Sequence, residues 1–242
     1  MPAPPAPDRE AIMCGRFTQH YTWQQVHAFL SLLGPARNLR PRYNIAPTTP
    51  VDVVRQDRDG KRELVSMRWG LIPFFWTKPL KDLPATFNAR AESAHQRPMF
   101  RYAFKQRRCI IPASGFYEWT GDKADRQPHL FSAADGSPLL AFAGLWERWR
   151  QPDTSEEILS CTIIVSGASE WMEPYHDRMP VLLKQSDFDA WLNGTLGPEA
   201  LQPAVEAALR QWPVSKRLNS TRADANGVTN ADDDPTIIER AA

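Results

Sequence analysis

The stretch MCGRF, residues 13–17, contains a cysteine whose chemistry depends on where the chain starts. If the chain begins at Met13 and loses that methionine, Cys14 carries a free α-amine and a thiol on adjacent carbons. Such a 1,2-aminothiol condenses with an aldehyde: the amine forms a Schiff base, and the thiol then closes a thiazolidine ring. A free α-amine has a pKa of about 7.7 to 8.0, so part of it is neutral at pH 7. The alternative is a small buried hydrophobe, the commonest role of a free cysteine.

Residues 1–12 block the Cys14 amine as long as they are present. They have neither the basic region nor the apolar region of a secretory signal, and their proline content predicts a disordered leader. Two explanations fit a reactive Cys14: translation begins at Met13, or residues 1–12 are removed after synthesis. We favour translation from Met13.

Two further side chains could transfer protons. The motif GFYEW places Glu118 between two aromatic residues on a predicted strand. A carboxyl buried beside aromatic rings holds its proton more tightly and can act as an acid or a base. The motif EPYHDRMP places His176 in a turn-like stretch, where it could shuttle a proton near neutral pH. The alternatives are a solvated strand residue for Glu118 and a surface-loop histidine for His176.

The motif TFNARAESA contains two polar residues with binding potential. Asn88 and Arg90 share a face if this segment is extended. An asparagine amide can orient a nucleophile, and an arginine can hold a phosphate through two hydrogen bonds. The alternative is a helix that begins near Asn88 and leaves Arg90 and Glu92 in solvent.

Two stretches suggest contacts with nucleic acid. The proline-bounded loop PFFWTKP holds Phe74, Phe75 and Trp76, which could stack on bases or wedge into a duplex. The alternative is a loop that folds back over the core as a lid. RYAFKQRRC is the densest basic stretch and could contact nucleic acid as well. The alternative is that its basic residues lie on a solvated helix face.

Composition limits the protein class. The 242 residues are 42% hydrophobic and 24% charged, which is typical of a soluble globular protein of one or at most two domains. A net charge of +1 means that any polyanion would be bound by a local patch. Cys14, Cys109 and Cys161 are far apart and odd in number, which favours a reducing interior and indicates no disulfide framework, metal or cofactor.

The hydrophobic pattern predicts one early helix and many short strands. The helix begins with Thr22 and Gln25 at capping-box spacing and ends at Gly34. Its predicted buried face consists of Val26, Phe29, Leu30 and Leu33. Hairpins are predicted at Asp59-Gly60 and at Asp135-Gly136.

The rest of the chain adds strands and two late helices. Strands are predicted over RRCIIPA, GFYEW, SCTIIVSG and WPVSKRLN. One late helix covers SDFDAWLNG with Ser186 as its N-cap, and another covers PEALQPAVEAALRQW, where Pro203 is a potential break. We therefore expect a single-domain α+β fold, mainly an antiparallel barrel-like sheet with peripheral helices.

Seven motifs in one order resemble the SOS-response-associated peptidase (SRAP) family. They are MCGRF, RYNIAPTTP, MRWGLIP, FNARAES, CIIPASGFYEW, PYHDRMPVLL and WPVSKRLN. The resemblance runs from Met13 to about Arg222. It implies one SRAP domain at 13–222, between the leader 1–12 and a flexible acidic tail at 223–242.

The resemblance implies an abasic-site sensor that acts on single-stranded DNA. Cys14 would capture the ring-opened sugar aldehyde as a thiazolidine, which is a DNA–protein crosslink. Asn88 would orient the Cys14 end, Glu118 would handle protons around the Schiff base, and His176 would assist ring opening and crosslink release. The matching DNA-binding positions are Arg16, Pro47, Phe75, Trp76, Arg90 and Arg178.

The resemblance also implies a class and a setting. The protein would be classed with peptidases and other hydrolases, with self-processing, and would need no metal or cofactor. We expect a monomer in the bacterial cytoplasm, associated with the nucleoid at damaged DNA, without a membrane partner. Two alternatives stay open: a thiol peptidase that uses Cys14, His176 and Asn88, and a non-catalytic single-stranded-DNA-binding module.

Overall fold

The structure is a computed structural model that describes residues 15–122, 125–219 and 232–241. Short strands dominate the described residues, and helices occupy the margins. The strands are β1 Phe17–Gln19, β2 Arg42–Ile45, β3 Pro50–Gln56, β4 Arg62–Trp69, β5 Asn88–Arg90, β6 Arg108–Ala113, β7 Gly115–Thr120, β8 Gln127–Ala133, β9 Leu140–Arg150, β10 Glu157–Gly167, β11 Arg178–Pro180 and β12 Leu209–Pro213. The α-helices are α1 Trp23–Leu30, α2 Arg101–Gln106 and α3 Phe188–Leu192.

The strands form a closed barrel and an attached open sheet. The barrel follows the order β10-β4-β3-β6-β9, and pairing of β9 with β10 closes it. The open sheet has the order β12-β8-β7-β1-β2 and is antiparallel throughout. The predicted single-domain α+β fold with a barrel-like sheet is confirmed. The barrel itself is mixed, since β10 runs parallel to β4 and β5.

The central strand β10 has partners along both edges. Antiparallel β9 and β11 lie along one edge, and parallel β4 and β5 lie along the other. Residues 160–166 are all buried, as the apolar run SCTIIVSG predicts. Both faces of this part of β10 are therefore covered, and its far end is a fixed platform for the segments that follow.

The first helix begins as predicted and ends earlier. Thr22 and Gln25 form the capping box. The helix ends at Leu30 because Ser31 adopts the left-handed conformation as its C-cap. The prediction of Leu33 on the buried face is wrong, since the chain has left the helix there and Leu33 is 57% exposed.

Three further element predictions need correction. Asp135-Gly136 forms a turn, but it links β8 of the open sheet to β9 of the barrel, so it is not a hairpin. The predicted alanine-rich helix exists only as 3-10 turns at 198–200 and 206–208, and β12 follows. Ser186 lies in a 3-10 turn, and Asp187 is the N-cap residue of α3. The hairpin at Asp59-Gly60 is confirmed by pairing of β3 with β4.

The segment 232–241 is packed, although the sequence predicts a loose tail from residue 223. Ile237 is fully buried in a small cluster with Tyr117, Leu130 and Val214. The indole Nε1 of Trp212 donates to the Ile238 carbonyl at 2.9 Å. This stretch therefore covers one face of the open sheet.

Gly144 lies where three barrel strands are in close contact. A Cβ at this position would lie 2.9 Å from Cys109 Sγ and 3.1 Å from the Thr162 carbonyl oxygen. Gly144 is paired with Cys109 on β6 and with Ile163 on β10. Barrel closure at this point therefore requires a residue without a side chain.

We predict that Gly144→Ala lowers the free energy of unfolding by about 2 kcal/mol, because the methyl group overpacks the junction. Gly167→Ala is the matched control, since a Cβ there has no atom within 4 Å. Urea denaturation of both variants measures the effect. Equal stability of Gly144→Ala and Gly167→Ala would contradict this account of barrel closure.

His20 follows β1 and stacks on Tyr43 with ring centroids 5.1 Å apart. Burial lowers the pKa of His20 to about 4. An unfolded histidine has a pKa near 6.5. Between these values the unfolded chain binds more protons, so stability falls as the pH decreases from about 6.5 to 4.

We predict that His20→Phe removes part of this acid sensitivity, because phenylalanine can keep the stack and cannot be protonated. Between pH 7 and 4, the free energy of unfolding of the wild type should fall by at most about 3 kcal/mol more than that of the variant. Solvent screening at the half-buried ring makes the difference smaller than this limit. Denaturation midpoints at both pH values give the difference. Parallel pH profiles would show that His20 is not responsible.

Candidate functional site

Glu118 lies on β7, next to the first described residues. Its side chain is buried, with 2% of the residue exposed. The Tyr117 N–H donates to the Arg16 carbonyl at 3.0 Å, which extends the pairing of β7 with the strand β1. Gly15 is buried as well. The prediction of a buried carboxyl is confirmed, and the alternative of a solvated strand residue is wrong.

His176 lies in the loop between β10 and β11. Its side chain is only 8% exposed, so the alternative of an open surface histidine is wrong. Its Nδ1 lies 2.9 Å from both the Arg178 backbone nitrogen and Asp177 Oδ1. A backbone N–H can only donate, so Nδ1 accepts that bond. In the neutral ring this arrangement leaves the proton on Nε2, and the Asp177 contact is an ion pair only when the ring is protonated.

Glu118 and His176 line the same cavity. This open groove of about 340 Å³ lies between the end of β7 and the loop residues 173–177. Trp119 and Tyr175 contribute aromatic walls, and Arg126 adds a positive charge. The tertiary structure thus joins a carboxyl and an imidazole that are 58 positions apart in the chain.

Asn88 and Arg90 begin and end β5, so the extended arrangement is confirmed and the helix alternative is wrong. Parallel pairing places Asn88 opposite Ile163 and Arg90 opposite Val165 on β10. Asn88 is buried, whereas Arg90 is exposed. The side chain that could orient a reactant is therefore fixed in the interior, and the one that could bind a phosphate faces solvent.

Arg178 lies across β10 from Arg90. It is paired with Gly167, two residues beyond the partner of Arg90, so the two arginine backbones are about 12 Å apart, two strand spacings across β10 and two residues along it. Its guanidinium forms an ion pair with Glu92 at 2.6 Å. Burial of Glu92 raises its pKa, but hydrogen bonds from the backbone and from Arg178 outweigh this effect and lower the pKa overall. The sequence did not indicate this pair, because its partners are 86 positions apart.

Arg16 is committed to internal contacts. Its guanidinium donates to Asn44 Oδ1 at 2.6 Å and to the Leu218 carbonyl at 3.0 Å, and burial lowers its pKa. Pro47 is half-buried in the turn between β2 and β3, followed by Thr48 at a φ of 71°. Both predicted DNA-binding positions thus belong to the edge of the open sheet, and sequence reasoning missed Asn44 as a partner of Arg16.

The aromatic loop is partly exposed and partly anchored. Phe74 and Phe75 are 51% and 47% exposed, and Phe74 contacts the Tyr102 ring on α2 at 4.8 Å. Trp76 is half-buried, and its carbonyl accepts from the Trp149 indole at 2.7 Å. The loop therefore combines the two alternatives, with its tip in solvent and its base on the barrel.

The reactive cysteine predicted from the sequence, Cys14, lies outside the described residues. The two cysteines that are described, Cys109 and Cys161, are completely buried. Burial raises the pKa of both thiols well above the ordinary value. Neither is suited to act as a nucleophile.

These features define a β-barrel protein with a polar groove that brings the Glu118 carboxyl and the His176 imidazole together beside Arg126. The family model described as SOS response associated peptidase (SRAP) matches residues 13–221. The chain belongs to this family. Among the described residues, no helix is both long and apolar enough to cross a membrane.

Named relatives agree with this assignment. Abasic site processing protein YoqW of Bacillus subtilis is 35% identical over 87% of this chain and 96% of its own length. Abasic site processing protein YedK of Escherichia coli is 31% identical over the same shares. Abasic site processing protein HMCES of Xenopus tropicalis is 32% identical over 78% of this chain and 65% of its own length.

Solved structures share the fold. A Bacteroides thetaiotaomicron protein superposes with a TM-score of 0.81 over 95% of this chain and 100% of its own, at 23% identity. A Bordetella bronchiseptica protein superposes with a TM-score of 0.73 over 84% of this chain and 100% of its own, at 28% identity. At 23% identity, the likeness to the Bacteroides thetaiotaomicron protein shows the fold alone.

We predict that neutral His176 is protonated on Nε2, because the Arg178 backbone N–H occupies Nδ1. Two-dimensional ¹⁵N NMR of the imidazole distinguishes the tautomers through the shifts of the two ring nitrogens. Asp177→Asn should leave the tautomer unchanged. A protonated Nδ1 in the wild type that is lost in Asp177→Asn would contradict the assignment.

Proposed function

We propose that this protein processes abasic sites in DNA and forms a covalent crosslink to them through Cys14. The observation that carries the proposal is the shared groove of Glu118 and His176 in a chain related to proteins named for abasic site processing. The described chain begins beside the strand that carries Glu118, since the Tyr117 N–H donates to the Arg16 carbonyl.

The proposed reaction needs a free Cys14 amine. The amine adds to the C1′ aldehyde of the opened sugar, and loss of water gives a protonated Schiff base. The thiol sulfur then bonds to C1′ while the C=N electron pair returns to nitrogen, and the thiol proton is released. The balance is one aldehyde and one aminothiol giving one thiazolidine and one water.

Three buried residues serve this chemistry in the proposal. Glu118 donates the proton that leaves with water and accepts the thiol proton, as a general acid and base. His176 moves the proton between ring oxygen and hydroxyl when the sugar opens, and works in reverse when the crosslink is released. Asn88 orients the Cys14 end through its amide.

Single-stranded DNA is the proposed partner. An abasic nucleotide has no base to stack and leaves the helix at low cost. Arg90 and Arg178 would hold phosphates next to the lesion, with Arg178 exchanging Glu92 for the strand. Arg16 and Pro47 would support the strand at the edge of the open sheet.

Phe75 and Trp76 would stack on neighbouring bases, a contact that tolerates any sequence. We propose that the protein acts as a monomer. We further propose that residues 1–12 are absent from the active protein, because they block the amine. Either translation starts at Met13, or self-processing of the peptidase type removes the leader. We also propose a cytoplasmic site of action, because the proposed substrate is DNA.

We predict that protein starting at Cys14 forms a heat-stable adduct with an oligonucleotide that contains one abasic site. Cys14→Ala and acetylation of the amine should each abolish the adduct. Glu118→Gln and His176→Ala should slow its formation by about 10²-fold or more, as expected for lost proton transfer. Denaturing gel electrophoresis over time measures the rates.

The matched control is Glu173→Gln, an exposed carboxyl that lines the same groove. It should crosslink at the wild-type rate. An adduct that survives acetylation would contradict the thiazolidine, and peptide cleavage that survives acetylation would favour a thiol peptidase. Salt-sensitive binding without any adduct would favour a binding module, and mass spectrometry of the native protein would identify its first residue.

A further inference from the structure

Residues 232–234 are three consecutive aspartates, and each forms an ion pair with a different arginine. We call them the acidic segment. The pairs are Asp232 with Arg42 at 2.8 Å, Asp233 with Arg40, and Asp234 with Arg217 at 2.5 Å. The three partners, Arg40, Arg42 and Arg217, form an arginine surface that this segment covers.

The arginine surface is continuous with the edge of the candidate site. The Asn44 backbone N–H donates to Asp232 Oδ1 at 3.1 Å, and the Asn44 side chain accepts from Arg16 at 2.6 Å. Arg16 also bonds the carbonyl of Leu218, which is the neighbour of Arg217. Arg16, the residue after Gly15, therefore contacts Asn44, which binds Asp232, and Leu218, which follows Arg217.

Two of the three ion pairs at this surface are largely open to solvent, whereas the side chains of Arg42 and Asp232 are only 22% and 16% exposed. The side chains of Arg40 and Arg217 are 72% and 61% exposed. Exposed ion pairs contribute little to stability, and salt screens them. A guanidinium binds a carboxylate and a phosphate through the same two-bond geometry. A polyanion can therefore replace the acidic segment first at the exposed pairs of Arg40 and Arg217.

The acidic segment is held in place by a separate apolar anchor. Ile237 is completely buried, and the Ile238 carbonyl accepts from the Trp212 indole at 2.9 Å. The family model ends at residue 221, so this segment lies outside the matched domain. The aspartates can thus release the arginines while the anchor keeps them nearby, which is the arrangement of an intramolecular competitor.

We propose that the arginine surface is an additional phosphate-binding site for the DNA strand beside the lesion, and that the acidic segment occupies it until DNA displaces the aspartates. This inference rests on the proposed function, because it extends the DNA path from Arg16. Neutralising the competitor should therefore strengthen DNA binding, whereas a purely structural clamp should only lose stability.

The test compares the full wild-type chain with the triple variant Asp232→Asn, Asp233→Asn, Asp234→Asn. The probe is a labelled single-stranded oligonucleotide with a tetrahydrofuran abasic analogue, which has no aldehyde and isolates binding from crosslinking. We expect about tenfold tighter binding at low salt by fluorescence anisotropy. The slope of log K against log [salt] should steepen by about 2, since each phosphate contact contributes about 0.7 on single strands.

The matched control neutralises three exposed carboxylates elsewhere, in Asp153→Asn, Glu156→Gln, Glu206→Gln. It makes the same change in net charge and should leave affinity near the wild-type value. Adding Arg40→Gln and Arg217→Gln to the triple variant should remove most of the gain. If the triple variant does not fold, Asp233→Asn alone should tighten binding about twofold, because its ion pair with Arg40 is exposed.

Unchanged affinity and salt slope in the folded triple variant would overturn this inference and leave the proposed function standing. An equal gain in the control would also overturn it, because net charge would then explain the effect. Absence of binding in every protein would overturn the proposed function and the inference together.

Discussion

The pairing of β10 along both edges is the constraint on which the rest of the structure depends. This strand closes the barrel through β9 and carries β5 and β11 at its far end. A strand with both edges paired and residues 160–166 buried has little freedom to move. The loop that holds His176 begins at this fixed end. The two ends of the loop are joined by a hydrogen bond, which the Ala168 N–H donates to the Asp177 carbonyl at 2.9 Å.

The open sheet supplies the second half of the groove. Its strand β7 carries Glu118 and is paired with β1, so the first described residues run beside the buried carboxyl. The groove is therefore formed where the two sheets meet, with Glu118 on the open sheet and His176 on the loop that follows β10. Such placement keeps both side chains largely out of water.

Charge is arranged locally around this groove. The whole chain has a net charge of +1, and arginines lie near the candidate site at positions 16, 90, 126 and 178. Several of them are already paired, including Arg178 with Glu92 and Arg16 with Asn44. An anionic strand would exchange some of these internal partners for phosphates, so its binding would depend on the balance between two sets of hydrogen bonds.

Local rules explain why some elements were predictable. The capping box of Thr22 and the turn at Asp59-Gly60 depend on neighbours a few residues apart, and both are confirmed. The end of α1 and the conformation of the alanine-rich stretch depend on the residues that pack against them. Tertiary contacts override helix propensity at such places, so Leu33 and residues 198–208 differ from the prediction.

The sequence by itself determined the family, the fold class and the residue types from which the groove is built. Motif order and strand periodicity are local properties, and they are readable without knowing which strands meet. Only the tertiary structure decided that Glu118 and His176 share one cavity and that residues 232–234 lie on three arginines. Those contacts join distant parts of the chain, and their partners are chosen by sheet pairing and burial, which no local pattern specifies.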